Sequence, residues 1–237
     1  MTQPSYPAVP YVACQIPQNL SDELKRIHQA LQSGSKESHA KETGYLVTEA
    51  SCHLMDRFFG DMISELATRD ADPLFRESAA VIREIQSKLR HYLGWITSHF
   101  SNERLRPVIA HFVALHFDLP SGLHNEGVLQ SHLTFPVSPD LATQAQASLQ
   151  ALRDGTAPDA REGIEILIKI IDEGLQPLLF QPKKLMHFNF IVDKTLNGVI
   201  SLMMTLSHHS LRKLGKHLHP QHFELVADHL EQFLKTE

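Results

Sequence analysis

The stretch "HHSLRKLGKHLHPQH", residues 208–222, holds five histidines and three cations with no acidic residue among them. Imidazoles ligate transition metals and carry protons, and lysine and arginine hold anions, so metal binding and anion binding are the chemistries to weigh. A helix offers two ligands to one ion only at i,i+3 or i,i+4. His219 and His222 have that spacing, but Pro220 between them makes His219 a helix cap. An extended connector would put His217 beside His219, with His222 joining as an adventitious chelate. Arg212, Lys213 and Lys216 flank Gly215, where the helix should stop, and so sit at its negative pole. The stretch therefore reads as a basic helix terminus, with those three cations as a candidate patch for an anion or an acidic partner, and no metal site is assigned.

The other histidines of the sixteen pair no better. His91 and His99 are roughly 12 Å apart along a helix, and His111 and His116 roughly 140° apart around one. Glu-x-x-His, the pair that di-iron bundles place on their core helices, is absent. One histidine from each of several helices still allows a haem- or metal-dependent enzyme, and Trp95, a turn from His91 and His99, has the face to cover a flat cofactor; the cofactor stays unknown. Glu42, Glu49, His53 and Asp56 share a helical stripe that faces away from Met55, Phe58, Phe59, Met62 and Leu66, so it reads as a solvated face. G-x-G-x-x-G, Walker A and G-x-S-x-G are missing. Cys52 reads as core, and no C-x-x-C spacing involves Cys14.

The strongest candidate for a binding site lies on the helix expected at 182–215. His187, Lys194, Ser201 and His208 recur every seven residues, and Asn197, Gly198 and Thr205 fall in the same arc. A face meant only for water carries long charged side chains; this one is mostly small and polar, which lets a ligand or another backbone approach. His187, Lys194, Asn197, Ser201 and His208 are thus the candidate ligand-binding residues. Lys194 would neutralise an anionic group while His187 and Asn197 orient it. Phe188, Val192, Leu196, Val199, Met203 and Leu206 form the core arc, with Asn189 and Asp193 at its edge needing hydrogen bonds.

These residues must be positioned by helices, because the apolar period is helical almost throughout. Helices are expected at about 21–33, 36–69, 73–100, from Pro107 onward, and at 140–153, 158–176, 182–215 and 220–235, with Asp72-Pro73 as a cap and proline start. Residues 1–18, with four prolines, read as an extended arm, mobile or borrowed by a neighbouring subunit. Residues 119–138 read as a long loop that could act as a lid. No internal repeat stands out. The expectation is an all-α bundle of about seven or eight helices, a single compact domain at 19–237 behind the arm.

Composition narrows the function. A chain of 237 residues, 42% hydrophobic, buries a full core. No run approaches the length of a membrane span, and the N-terminus lacks the basic and apolar regions of a signal peptide, so a cytoplasmic protein is expected. A net charge of −5 makes nucleic acid an unlikely partner. The reading is a soluble, non-enzymatic binding or regulatory protein, with a small-molecule pocket or acidic-partner groove between helices. A metal- or haem-dependent enzyme and an oligomerisation module, in which the chain forms a homo-oligomer, are the alternatives.

Overall fold

The computed structural model describes residues 10–97, 100–121 and 125–236. Eight helices are present among them, counting each π turn inside the helix that it interrupts. These are α1 (Gln18–Gln32), α2 (40–69, with the π turn Asp56–Gly60), α3 (Pro73–Thr97), α4 (Asn102–Ala114), α5 (Pro139–Arg153), α6 (161–185, with the π turn Gln176–Phe180), α7 (Phe190–His217) and α8 (Pro220–Glu231). The periodicity explains them: in α1, Leu20, Leu24, Ile27 and Leu31 recur every three or four residues and all are buried. Gly34, at φ +76°, supplies the left-handed residue after that helix.

The all-α expectation holds for the bulk of the chain, but a four-stranded antiparallel sheet crosses it. Its strands are β1 (Tyr11–Gln15), β2 (His116–Ser121), β3 (Asn125–Pro136) and β4 (Leu234–Lys235), in the order β2-β3-β1-β4. Two expectations are corrected here. The part of the supposed free arm that is described contains β1, an interior strand whose Tyr11, Val12, Ala13 and Cys14 are buried; residues 1–9 lie outside the described residues. The supposed lid at 119–138 is, in its described residues, mostly the end of β2 and the whole of β3, paired antiparallel, and it ends at Ser138, the residue before α5; residues 122–124 lie outside the described residues. Its strand character was hidden by Gly and Pro breaks, and its buried Leu119, Leu133 and Phe135 belong to the sheet.

The element order also reveals a repeat. Strand, 15-residue helix, π-interrupted helix, long helix, short helix, strand occurs once as β1-α1-α2-α3-α4-β2 and again as β3-α5-α6-α7-α8-β4. Leu20 and Leu141, Leu31 and Leu152, and Gly34 and Gly155 stand 121 residues apart, and both glycines have positive φ. The sheet register obeys the same relation. Val12 pairs with Phe135 while Cys14 pairs with Leu133, and Ala13 faces Thr134 on the axis between them. Hydrogen bonds outside the β1-β3 ladder repeat too: Ala13 N–H to Phe233 O (2.9 Å) matches Thr134 N–H to Leu115 O (2.8 Å), and Ile16 N–H to Ser131 O (2.8 Å) matches Val137 N–H to Pro10 O (2.9 Å). The chain is an intramolecular pseudo-dimer whose two halves meet as an isologous pair.

The expected single helix at 182–215 is also corrected. Residues 181–185 end α6, and the chain turns at Met186–Asn189 before α7 begins. Arg104 Nη2 donates to the Met186 and His187 carbonyls, the latter at 2.7 Å, and so satisfies the end of α6. Asn189 then caps α7 by accepting from Val192 N–H at 2.9 Å.

Close packing within the second repeat sets a first test. A Cβ on Gly174 of α6 would lie 2.7 Å from the Phe135 ring of β3, whereas Gly198, within α7, has open space. Gly174→Ala is expected to destabilise by about 1–3 kcal/mol through overpacking, while Gly198→Ala is neutral or stabilises by up to about 1 kcal/mol. Urea midpoints measure both, and a Gly174→Ala protein as stable as wild type would contradict the packing.

Candidate functional site

The expected arc is divided between a turn and a helix. His187 lies in the turn before α7, exposed and at φ +47°, so it shares no helical face with Lys194. Lys194, Asn197 and Ser201 are exposed on α7. Asn197 Nδ2 donates to Asp193 Oδ2 (3.0 Å), and Lys183 holds the same carboxylate at 2.5 Å. His208, farther along and half-buried, pairs with Asp172 of α6 at 3.0 Å.

The basic terminus is largely engaged with neighbouring helices. Arg212 binds Glu165 of α6 through two bonds of 2.7 and 3.0 Å, and Lys213 binds Glu77 of α3 at 2.7 Å. Lys216 is exposed. His217 Nδ1 lies 3.3 Å from Asp72. His222 is buried; its Nδ1 accepts from His219 N–H at 3.2 Å and its Nε2 lies 3.3 Å from Asp70. Both of its nitrogens are committed. Among the described residues no group of three histidine, cysteine or acidic side chains is placed to hold a metal. His99 and the side chain of Trp95 lie outside the described residues.

The acidic stripe is likewise divided among local partners. Glu42 meets His39 at 2.6 Å and Arg26 at 3.0 Å, Glu49 meets Arg90 at 3.3 Å, His53 Nε2–H donates to Gln15 O at 3.0 Å, and Asp56 accepts from Gln86 at 2.7 Å. A serine-histidine pair that the sequence did not suggest lies under the sheet: Ser21 Oγ is 2.9 Å from His116 Nε2, and Ser131 Oγ bridges Ser21 and Asp118 at 2.9 and 2.8 Å. Ser21 has no exposed surface. The pair therefore joins α1 to the sheet without a path for substrate to the hydroxyl.

What the repeat does build is a pair of apolar hollows, each lined in part by the other half. The larger, about 50 Å³, lies between α5, α6 and α8 and is capped by Phe58 of the first half's π turn and Val12 of β1. The other, about 40 Å³, lies between α1, α2 and α4 and is capped by Leu178 of the second half's π turn and Leu133 of β3. Three wall positions correspond: Ala145 with Leu24, Leu167 with Leu46, Leu230 with Phe112. Ser148 is the one polar side chain lining the first, and Ser51 the one lining the second.

Each capping turn is held across the halves by a histidine. In a π turn the backbone bonds run to the fifth residue, as from Asp61 N–H to Asp56 O and from Gln181 N–H to Gln176 O. The next such bond in the second half would need an N–H on Pro182, which has none. His111 Nε2–H supplies it, donating to Pro177 O at 2.7 Å. In the first half His229 Nε2–H donates to Phe58 O at 3.2 Å. His111 and His229 stand 118 residues apart, in matching places on α4 and α8. Comparison of the chain with models of known families, with curated proteins and with solved structures gave no match.

These contacts yield two tests. His111→Phe is expected to cost about 1–3 kcal/mol, because it strands the Pro177 carbonyl, and to speed amide exchange around 176–181 in the opposite half. His111→Gln should recover part of the loss; unchanged exchange would show that the histidine does not hold the turn. The second test is pH. Burial lowers the pKa of His116, His132, His222 and His229, so below about 6.5 the unfolded chain takes up protons that the folded chain resists. Their contribution to stability is full above that value and is lost as pH falls through the lowered folded values. Glu42, lowered by its bond to His39, and Glu165, lowered by Arg212, add losses only at more acid pH. The urea midpoint should therefore drop between pH 7.5 and 5.5, and an equal or higher midpoint at pH 5.5 would refute this.

Proposed function

We propose that the protein is a non-enzymatic binding protein that takes an alkyl group of a small molecule into the cavity between α5, α6 and α8. The supporting observation is a partly open hollow of about 50 Å³ whose wall, among the described residues, is apolar except for Ser148. Protein interiors are close-packed, so an apolar hollow left in one has room that a ligand can fill. A preformed apolar pocket with a single polar group is suited to binding a hydrocarbon with one hydroxyl or carbonyl. The hollow is small, so the ligand enters as the capping turn yields, and Phe58 is the side chain that must move. Among the described residues no helix is long and apolar enough to cross a membrane.

A second reading, contact with another chain along α7, is favoured by Phe190 at 80% and Leu202 at 51% exposure, on the helix that carries Lys194, Asn197 and Ser201. Light scattering tests it, and a monomer at every concentration sinks it.

The first reading is tested by methyl NMR of the whole chain with 1-hexanol as probe. Saturable shifts are expected at Leu152, Leu167, Ile170 and Leu230. Ser148→Ala should weaken binding by about twofold to tenfold, the worth of one neutral hydrogen bond. Shifts that never saturate, or that are spread over the surface, would reject the cavity as a site.

A further inference from the structure

We infer that the first half carries a second binding site for the same class of ligand, an alkyl group, so that one chain binds two. The inference extends the reading of the larger cavity to its symmetry mate between α1, α2 and α4, and rests on that reading for the ligand class. The observation that carries it is the coincidence of wall, cap and latch. Leu24, Leu46 and Phe112 occupy the places of Ala145, Leu167 and Leu230, and Leu178 closes this cavity as Phe58 closes the other.

The cap has the means to move. Leu178 belongs to the π turn Gln176–Phe180, which contains Pro177 and is followed by Pro182, two residues that cannot donate a backbone bond. The neighbouring carbonyl of Pro177 is held by His111, and the adjacent residue Phe112 lines the same cavity. One side-chain hydrogen bond thus fixes both the cap and part of the wall. Ligand entry needs a shift of that turn rather than unfolding of α6.

The two sites differ in polarity and room. Ser51 already donates to Val47 O at 2.8 Å, so the second site has less to offer a ligand's polar group than the first. Leu24 also fills space that Ala145 leaves open. The second site therefore favours a shorter or purely hydrocarbon group and binds a shared probe more weakly.

The experiment is a 1-hexanol titration of the full chain followed at two methyl sets, Leu152, Leu167 and Ile170 for the first cavity and Leu24, Leu46 and Leu178 for the second, with native mass spectrometry for stoichiometry. Two saturable processes and two probe molecules per chain are expected. Ala145→Leu should abolish the response of the first set and leave the affinity of the second within about twofold, since distant independent sites do not couple. Leu24→Ala should tighten the second site by about fourfold for each methylene newly accommodated. Saturation at the first set alone overturns the second site and leaves the function proposed above intact. Saturation at the second set alone upholds the second site and overturns the first, and silence at both overturns both. Should Leu24→Ala fail to fold, Ala145→Leu with the two methyl sets still decides.

Discussion

Everything in the structure depends on the pairing of β1 with β3. Ala13 faces Thr134 at the centre, and each strand then continues to the last strand of the other half, β1 to β4 and β3 to β2. Both faces of β1 are covered: Val12 and Cys14 join one apolar cluster, Tyr11 and Ala13 another. A slip of one residue would exchange those faces, so the register is strongly specified. The same pairing brings the first strand of the chain to the last, and a fold closed by contacts of such long sequence separation folds slowly for its size.

Once the strands set the axis, the halves complete one another. Arg104 of the first half finishes the end of α6 in the second, while His222 of the second meets Asp70, just past the end of α2 in the first. His111 and His229 reach across to the two π turns. Neither half owns a complete cavity, since Val12 and Phe58 close one and Leu133 and Leu178 the other. The crossing contacts are polar and directional, whereas the walls they position are apolar. Geometry is thus set by hydrogen bonds that leave no buried carbonyl stranded at these turns, and room is set by side-chain size.

The helices were legible because their periodicity and caps are local signals. α3 and α8 begin at Pro73 and Pro220, as the proline starts suggested, while α1 begins at Gln18, ahead of the expected 21, and holds Ser21 buried inside it; helical repetition carried the expectation correctly through the π turn of α2. The strands were not legible. "YVACQ" lies between prolines and is buried on both faces, so it shows no alternation. The repeat was hidden because few matched positions are identical, as Leu46 with Leu167 and His111 with His229 are, and because the spacing drifts from 121 to 118 residues. A core accepts any apolar residue of about the right volume, so matched positions such as Leu24 and Ala145 diverge without loss of fold. Nor was the break before α7 legible, so His187 was placed on one helical face with Lys194, Asn197 and Ser201 although it lies in the turn at Met186–Asn189.

The cavities are inexpensive to keep, which bears on how they should be read. At roughly 24 cal/mol per Å³, a hollow of about 50 Å³ costs on the order of 1 kcal/mol, small beside a domain stability of about 5–15 kcal/mol. Size alone therefore does not mark a site. What distinguishes these hollows is that three wall positions and both caps recur in the two halves, and that a π turn supplies a cap to each. A packing defect would have no reason to recur at the symmetric place with its cap and its histidine. A duplicated pocket would, because the repeat that copied the helices copied the turn that closes them.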